Sequence, residues 1–265
     1  MAYRRAALVA VLADVHGNLP ALSAVLAEPD VAAADAVVLL GDIALGPMPA
    51  QTLEVLAGLG ERAIWVHGNC EREMVTAFDG VTVPGPNGPQ ASASAALISR
   101  LHRDMLDGLP LTVTLEIDGL GVCGFFHASP RRDDEMLLVD SPVERWDAAL
   151  SGLGAEVGTV VCGHTHMQFD RLAAGRRVVN PGSVGMPYGP PGAHWALLGQ
   201  GIWLRRTRYD TTAAAEVIEA SGYPDGAAWA REYVLHHYSD TEALTAFTEI
   251  ARQQEVPDVH ASGDS

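Results

Sequence analysis

The stretch AALVAVLADVHGN, residues 6–18, decides how the rest of the chain is read. Its first eight residues are apolar without a break, the pattern of a strand covered on both faces. The run stops at Asp14, and Asp14-Val15-His16-Gly17-Asn18 follows where such a strand must end. Pro20 then sits where a first helical turn tolerates it, and residues 21–28 read as helix. The alternation repeats, with a buried strand at 36–40, a helix at 49–59 and a third strand at 62–66. A β-α-β-α-β order predicts parallel strands joined by right-handed crossovers.

Further along, residues 79–90 form a Gly/Pro-rich surface loop, and from residue 111 the pattern changes. Apolar runs at 111–117 and 122–126 flank Asp118-Gly119, a hairpin signal. A helix is expected at 143–150, with strands at 159–162, 177–179, 195–198 and 202–206. From residue 212 about three amphipathic helices follow, ending in a polar, frayed segment at 256–265. The expectation is an α/β fold of two sheets with helices outside. It would form a single domain over 1–265, with a core at about 6–210 and a helical extension at about 211–255.

Composition narrows the function. The 265 residues are 48% hydrophobic and 19% charged, which excludes a disordered chain. Acidic residues outnumber basic ones by 33 to 17, a formal charge of −16 that opposes a stable nucleic-acid partner or a polybasic membrane role. No apolar stretch approaches the ~20 residues of a membrane-spanning helix. Arg4-Arg5 ahead of the apolar run imitates a twin-arginine signal, but the run is short and leads straight into the chemical motif, so no cleaved signal is expected. Cys70, Cys123 and Cys162 are too scattered for a disulfide framework, which fits a reducing cytoplasm.

Chemistry-bearing residues follow the strands. Asp14 and His16 come after the first, Asp42 of Gly41-Asp42 after the second, and Asn69 of Gly68-Asn69-Cys70-Glu71 after the third. His127 closes the run at 122–126, and Gly163-His164-Thr165-His166 follows 159–162. In open α/β sheets ligands bind beyond the carboxyl ends of strands, so two aspartates, one asparagine and four histidines are delivered to one rim. Carboxylate, imidazole and amide oxygen together suit a pair of divalent cations. In D-x-H the alternating side chains of an extended segment let both residues reach one ion.

The ordered set D-x-H, GD, GN-[CH]-[DE], H, G-H-x-H resembles the calcineurin-like metallophosphoesterase superfamily, in particular its compact bacterial and archaeal phosphoesterase branch. Gly46-Pro47, His127-Ala128-Ser129-Pro130 and Asn180-Pro181-Gly182-Ser183-Val184-Gly185 add to the likeness, which covers about residues 6–210. The resemblance implies a four-layer α-β-β-α sandwich of two mixed sheets. It also implies a ligand set: Asp14, His16 and His166 on one metal, Asn69, His127 and His164 on the other, and Asp42 bridging both. Two transition-metal ions are then the cofactors (manganese, iron, zinc, nickel or cobalt), sharing a hydroxide that attacks phosphorus with no side-chain nucleophile.

The activity so implied is hydrolysis of phosphoester bonds, as phosphodiesterase or phosphatase, on a small phosphorylated metabolite or nucleotide. Dinucleoside polyphosphate hydrolysis is an alternative. A reading of another class is a scaffold, because one retromer coat subunit resembles this family and works as a binding surface. Retention of all seven side-chain ligands opposes it. Two departures bear on chemistry: Cys70 stands where many members carry a histidine, and the arginine of the GDxxDRG motif of protein phosphatases is absent. Asn18 and Arg72 are candidate substrate contacts beside the metal motifs. The 180–185 turn is expected to pack beneath the site. Oligomeric state is not fixed by the sequence.

Overall fold

Residues 6–13 form not one strand but the junction of two. In the computed structural model, which describes residues 3–255, β1 (Arg4–Ala6) lies in one sheet and β2 (Val9–Leu12) in the other. The polar segment 256–265 lies outside the described residues. The chain changes sheets at Ala7-Leu8, whose two backbone N–H groups donate to Asp35 Oδ2 at 2.8 and 2.9 Å. That carboxylate takes the place of the ladder bonds the chain forgoes at the switch.

The first sheet follows the expected β-α-β-α-β path. After β2 come α1 (Leu19–Leu26), α2 (Pro29–Ala33), β3 (Ala36–Leu40), α3 (Pro49–Ala57) and β4 (Ala63–Val66). Strands β2, β3 and β4 pair in parallel. Three helices follow that residue patterns did not reveal, α4 (Asn69–Phe78), α5 (Gly88–Ala95) and α6 (Arg100–Asp107), so the Gly/Pro loop ends at Asn87 rather than Gln90. The hairpin forms as expected, β5 (Thr112–Ile117) antiparallel to β6 (Gly121–Phe126). Beyond it lie α7 (Val143–Leu150), β7 (Val157–Val161), β8 (Gln168–Ala173), β9 (Arg176–Pro181), β10 (Ala193–Leu198) and β11 (Ile202–Thr207). The chain continues into α8 (Thr211–Glu219), α9 (Gly226–Ala230) and α10 (Asp240–Glu255), with a π-helical turn at Arg231–Leu235 between the last two.

Two mixed sheets result, ordered β1-β5-β6-β7-β9-β8 and β11-β10-β2-β3-β4. Period-two alternation explains how they stack. Val9 and Val11 of β2 join Val38, Leu40, Leu115, Phe125, Val161 and Val179 in the layer between the sheets. Ala10 and Leu12 face the other way, packing with Leu22 and Val25 of α1 and with Leu53 and Leu56 of α3. Against the outer face of the six-stranded sheet, α7 buries Trp146 and Leu150 on Phe126, Val160 and Val178. This is the four-layer α/β sandwich with helices on both outer faces, and its parallel strands β2, β3, β4, β6 and β7 end at one rim. Among the described residues no helix is long and apolar enough to cross a membrane.

Candidate metal centre

Backbone pairing extends past the strand ends and sets the loops that carry the candidate ligands. Asp14 N–H donates to Gly41 O at 3.1 Å, His16 N–H to Asp42 O at 3.0 Å, and Gly163 N–H to His127 O at 2.7 Å. These loops are strained. Among the described non-glycine residues, seven have positive φ, and five of them are Asp14, His16, Asp42, His164 and His166. Left-handed backbone is unfavourable for residues with a Cβ, and such strain collects where surrounding structure holds side chains for function.

The convergent side chains form three overlapping groups, one of them His16, Asp42 and Cys70. In the other two, ligand atoms of Asp14, His16 and His166 lie within 4.8 Å of one another, as do those of Asp42, His127 and His164. His16 Nε2 stands 3.2 Å from His166 Nε2, and His166 Nε2 stands 3.4 Å from Asp14 Oδ1. Asp42 reaches both groups, with Oδ2 3.9 Å from His16 Nε2 and Oδ1 3.4 Å from His127 Nε2. Three imidazoles engage backbone carbonyls through Nδ1: His16 with Leu45 at 3.2 Å, His127 with Leu40 at 2.8 Å and His166 with Met186 at 2.9 Å. That contact leaves Nε2 as the coordinating atom and fixes ring orientation.

The donor set fits divalent cations. Asn69 Oδ1 and His127 Nε2 are buried without a hydrogen-bond partner, whereas the Asn69 amide nitrogen donates to Glu73 Oε1 at 3.3 Å. Buried acceptors left open in this way are costly unless something outside the chain fills them. Close approach matters as well: a Cβ on Gly68 would come within 2.4 Å of Asp42 Oδ1, and one on Gly163 within 2.8 Å of Asp14 Oδ2.

Electrostatics divides the histidines. Burial, reinforced by His166, draws the pKa of His16 down to about 4, and burial with His127 does the same to His164. For His127 burial also opposes the charge, but the neighbouring Asp42 and Asp14 carboxylates outweigh it and raise the pKa to about 10. His166 is raised in the same way against burial, chiefly by Asp14.

Two groups brace the site from behind. Glu71, fully buried, accepts backbone N–H groups from Asp42, Ile43 and Gly68, each at 2.8 Å, so one carboxylate ties the loop after β3 to the loop after β4. The residue type gave no hint of this, because two of the three donors lie 28 and 29 positions away. On the other side, Ser183 donates to Asp14 O at 2.7 Å and Asn180 to Gly163 O at 2.7 Å, so the 180–185 turn underlies the first metal motif.

The remaining candidates take other places. Cys70 is 2% exposed, and its backbone N–H donates to Asp42 Oδ1 at 2.9 Å. Burial, with Asp42 and Glu71 nearby, pushes its thiol pKa well up. Asn18 is fully buried and uses both ends of its amide within the fold: Oδ1 caps α1 through Ala21 N–H at 3.2 Å, and Nδ2 donates to Gly185 O at 2.9 Å. Arg72 forms a two-pronged pair with Asp133 at 2.8 and 2.9 Å, beside His67. Arg131 pairs with Glu135 and Arg132 with Asp134.

Comparison with known proteins follows the same lines. A model of the calcineurin-like phosphoesterase superfamily domain matches residues 8–199. The uncharacterized protein MJ0912 of Methanocaldococcus jannaschii is 24% identical over 246 residues, covering 82% of this chain and 94% of its own length. Two crystal structures share the fold. The hypothetical protein PH1004 of Pyrococcus horikoshii OT3 has a TM-score of 0.72 at 21% identity, covering 85% of this chain and 98% of that one. A metallophosphoesterase from Sphaerobacter thermophilus has a TM-score of 0.66 at 23% identity, covering 86% and 100%.

Proposed function

This chain belongs to the calcineurin-like phosphoesterase superfamily, and we propose that it is a divalent-metal-dependent hydrolase of phosphoester bonds in a small phosphorylated metabolite or nucleotide. The observation that carries the reading is the pair of ligand groups meeting at Asp42, with Asn69 Oδ1 and His127 Nε2 buried and open. Asp14, His16 and His166 would hold one cation, Asn69, His127 and His164 a second, and Asp42 would serve both. When bound, two such cations polarise phosphoryl oxygens and lower the pKa of water.

The chain's own residues supply the rest. The carbonyls of Leu40, Leu45 and Met186 orient three imidazoles, so the ring positions are set before substrate arrives. Cys70 N–H and the carboxylate of Glu71 fix Asp42 from two sides. No side chain here is built as a nucleophile: the Cys70 thiol is buried and its pKa lies well above the usual value. It is equally a poor proton donor to a leaving oxygen. With Arg72 held by Asp133, charge on an anionic substrate would be met chiefly by cations bound at the seven ligands.

Purified protein stripped with chelator and reloaded with manganese should hydrolyse members of a panel of phosphodiesters and phosphomonoesters, and the stripped form should not. Metal bound at this cluster with no turnover on any ester would favour a scaffold instead.

A further inference from the structure

A second cavity shares a wall with the candidate metal centre. It measures about 450 Å³, and its lining includes Met186, Tyr188, Glu232, Tyr233, Tyr238 and Glu242. Three contacts join it to a proposed ligand. The Tyr188 ring stacks on the His166 ring at 5.9 Å between centroids, Met186 O meets His166 Nδ1 at 2.9 Å, and Tyr188 N–H donates to His166 O at 3.4 Å.

The opposite wall comes from outside the stretch that matches the superfamily, which ends at residue 199. Glu232 and Tyr233 sit in the π-helical turn Arg231–Leu235, and Glu242 lies in the first turn of α10. Turns of this rare type are frequent at functional sites. The extension is packed onto the core there: Gly189 N–H donates to Tyr238 O at 2.9 Å, and Phe247 of α10 meets Tyr188 edge-on at 5.6 Å. The cavity therefore lies between the stretch that matches the superfamily and the helical segment that follows it.

Its polar groups are three tyrosines, two glutamates and His236, whose ring meets Tyr238 edge-on at 4.3 Å, and among the described lining residues there is no arginine or lysine. Tyr238 donates its hydroxyl to Glu232 Oε1 at 2.6 Å, and Ser239 holds Glu242 through its N–H and hydroxyl at 2.8 and 2.7 Å. Such a lining repels a second phosphate and attracts a cation, which tyrosine rings and hydroxyls also accommodate.

Resting on the phosphoesterase reading, we propose that this cavity seats the organic half of the substrate and selects phosphoesters bearing a positively charged ammonium group. The phosphoryl group would lie at the neighbouring ligand cluster, and Glu232 and Glu242 would take the opposite charge at the far end of the same molecule.

The test uses two diesters of equal shape and equal leaving group, p-nitrophenyl phosphorylcholine and p-nitrophenyl dimethylbutyl phosphate, in which a quaternary carbon replaces nitrogen. The metal-loaded protein should favour the choline ester in kcat/KM by about ten-fold, the effect of roughly one well-placed cation contact. In the Glu232→Gln/Glu242→Gln double variant, which keeps oxygen acceptors for Tyr238 and Ser239, that ratio should fall to about one. Equal rates on the two esters, a ratio preserved in the variant, or preference for a guanosine ester over both would overturn the proposal. A separate readout is binding of choline against dimethylbutanol, followed by tyrosine fluorescence on protein stripped of metal. If neither ester is hydrolysed while choline alone binds and the double variant loses it, the phosphoesterase reading fails and the cation pocket stands. Absence of choline binding would overturn the pocket whatever the turnover.

Discussion

Glu71 Oε2 accepts the backbone N–H of Asp42 at 2.8 Å, so the carboxylate that reaches both ligand groups hangs from a second, deeper carboxylate. Glu71 Oε1 takes Ile43 N–H and Oε2 also takes Gly68 N–H, which makes this side chain the clasp between two ligand loops. Glu71→Ala leaves three donors without a partner in a buried place, each such loss costing about 1–3 kcal/mol. Urea unfolding should show a loss of at least about 3 kcal/mol, and metal content should drop with it. Glu71→Gln, which retains one acceptor oxygen, should lose less. Wild-type stability in Glu71→Ala would mean that the clasp does not hold these loops.

What residue order could and could not disclose follows from how each feature is made. Buried parallel strands must be apolar throughout, so β2 and β3 stood out, and the ligands stood out because they come directly after such strands. The change of sheet at Ala7-Leu8 left no mark, since residues 6–13 are apolar on both sides of it and the compensating carboxylate is Asp35. Helix α4 begins at Asn69 itself, inside the metal motif, and its buried face starts with the polar Asn69 and Glu71, while α6 is only eight residues long and fully buries Leu106 alone. Asn18, placed by sequence among substrate contacts, is an N-cap whose second partner, Gly185, lies 167 residues away. Arg72 was legible as a cation near the site, but its pairing with Asp133 across 61 residues was not.

Backbone strain at the ligands has a measurable consequence. His164 has φ 67°, a conformation that costs a residue with a Cβ roughly 1–2 kcal/mol and glycine almost nothing. In protein stripped of metal, His164→Gly should therefore be more stable than His164→Ala by about 1 kcal/mol, although both remove the same imidazole. Both should lose turnover. Thermal unfolding of the pair in chelator decides it: an alanine variant as stable as the glycine one would place the strain elsewhere.

Asp42 stands between the two ligand groups, 3.9 Å from His16 Nε2 and 3.4 Å from His127 Nε2. Asp42→Asn keeps the shape of the side chain but halves its capacity to serve two cations. Metal analysis after dialysis should show about two ions per chain in the parent and weakened retention of both in the variant. One tight ion with an unaltered second site would remove Asp42 from the bridging position.

Cys70 donates its backbone N–H to Asp42 Oδ1 at 2.9 Å, a contact that any residue supplies. Cys70→Ala should accordingly keep kcat/KM within about ten-fold of the parent, against a loss of at least about 10²-fold for His127→Ala. The thiol does lie within ligand reach of His16 and Asp42. A variant as inactive as His127→Ala would show that sulfur is a ligand.

The buried thiol also bears on which bonds the protein breaks well. A leaving oxygen of high pKa needs a proton as the bond to phosphorus breaks, and a placed general acid contributes ~10²–10⁴ in rate. Cys70 stands directly after Asn69 of the metal motif, and burial raises its pKa well above the ordinary thiol value. A nitrophenolate or a nucleotide phosphate departs with little help, whereas an alkoxide does not. Activated diesters and phosphoanhydrides should therefore be cleaved faster than alkyl phosphomonoesters at equal metal loading. A leaving-group series that plots log kcat/KM against leaving-group pKa should fall steeply. The Cys70→His variant should flatten it by restoring an acid there, with the gain concentrated in the alkyl esters. A flat line in the parent, with alkyl esters as good as aryl ones, would mean that another group already supplies the proton.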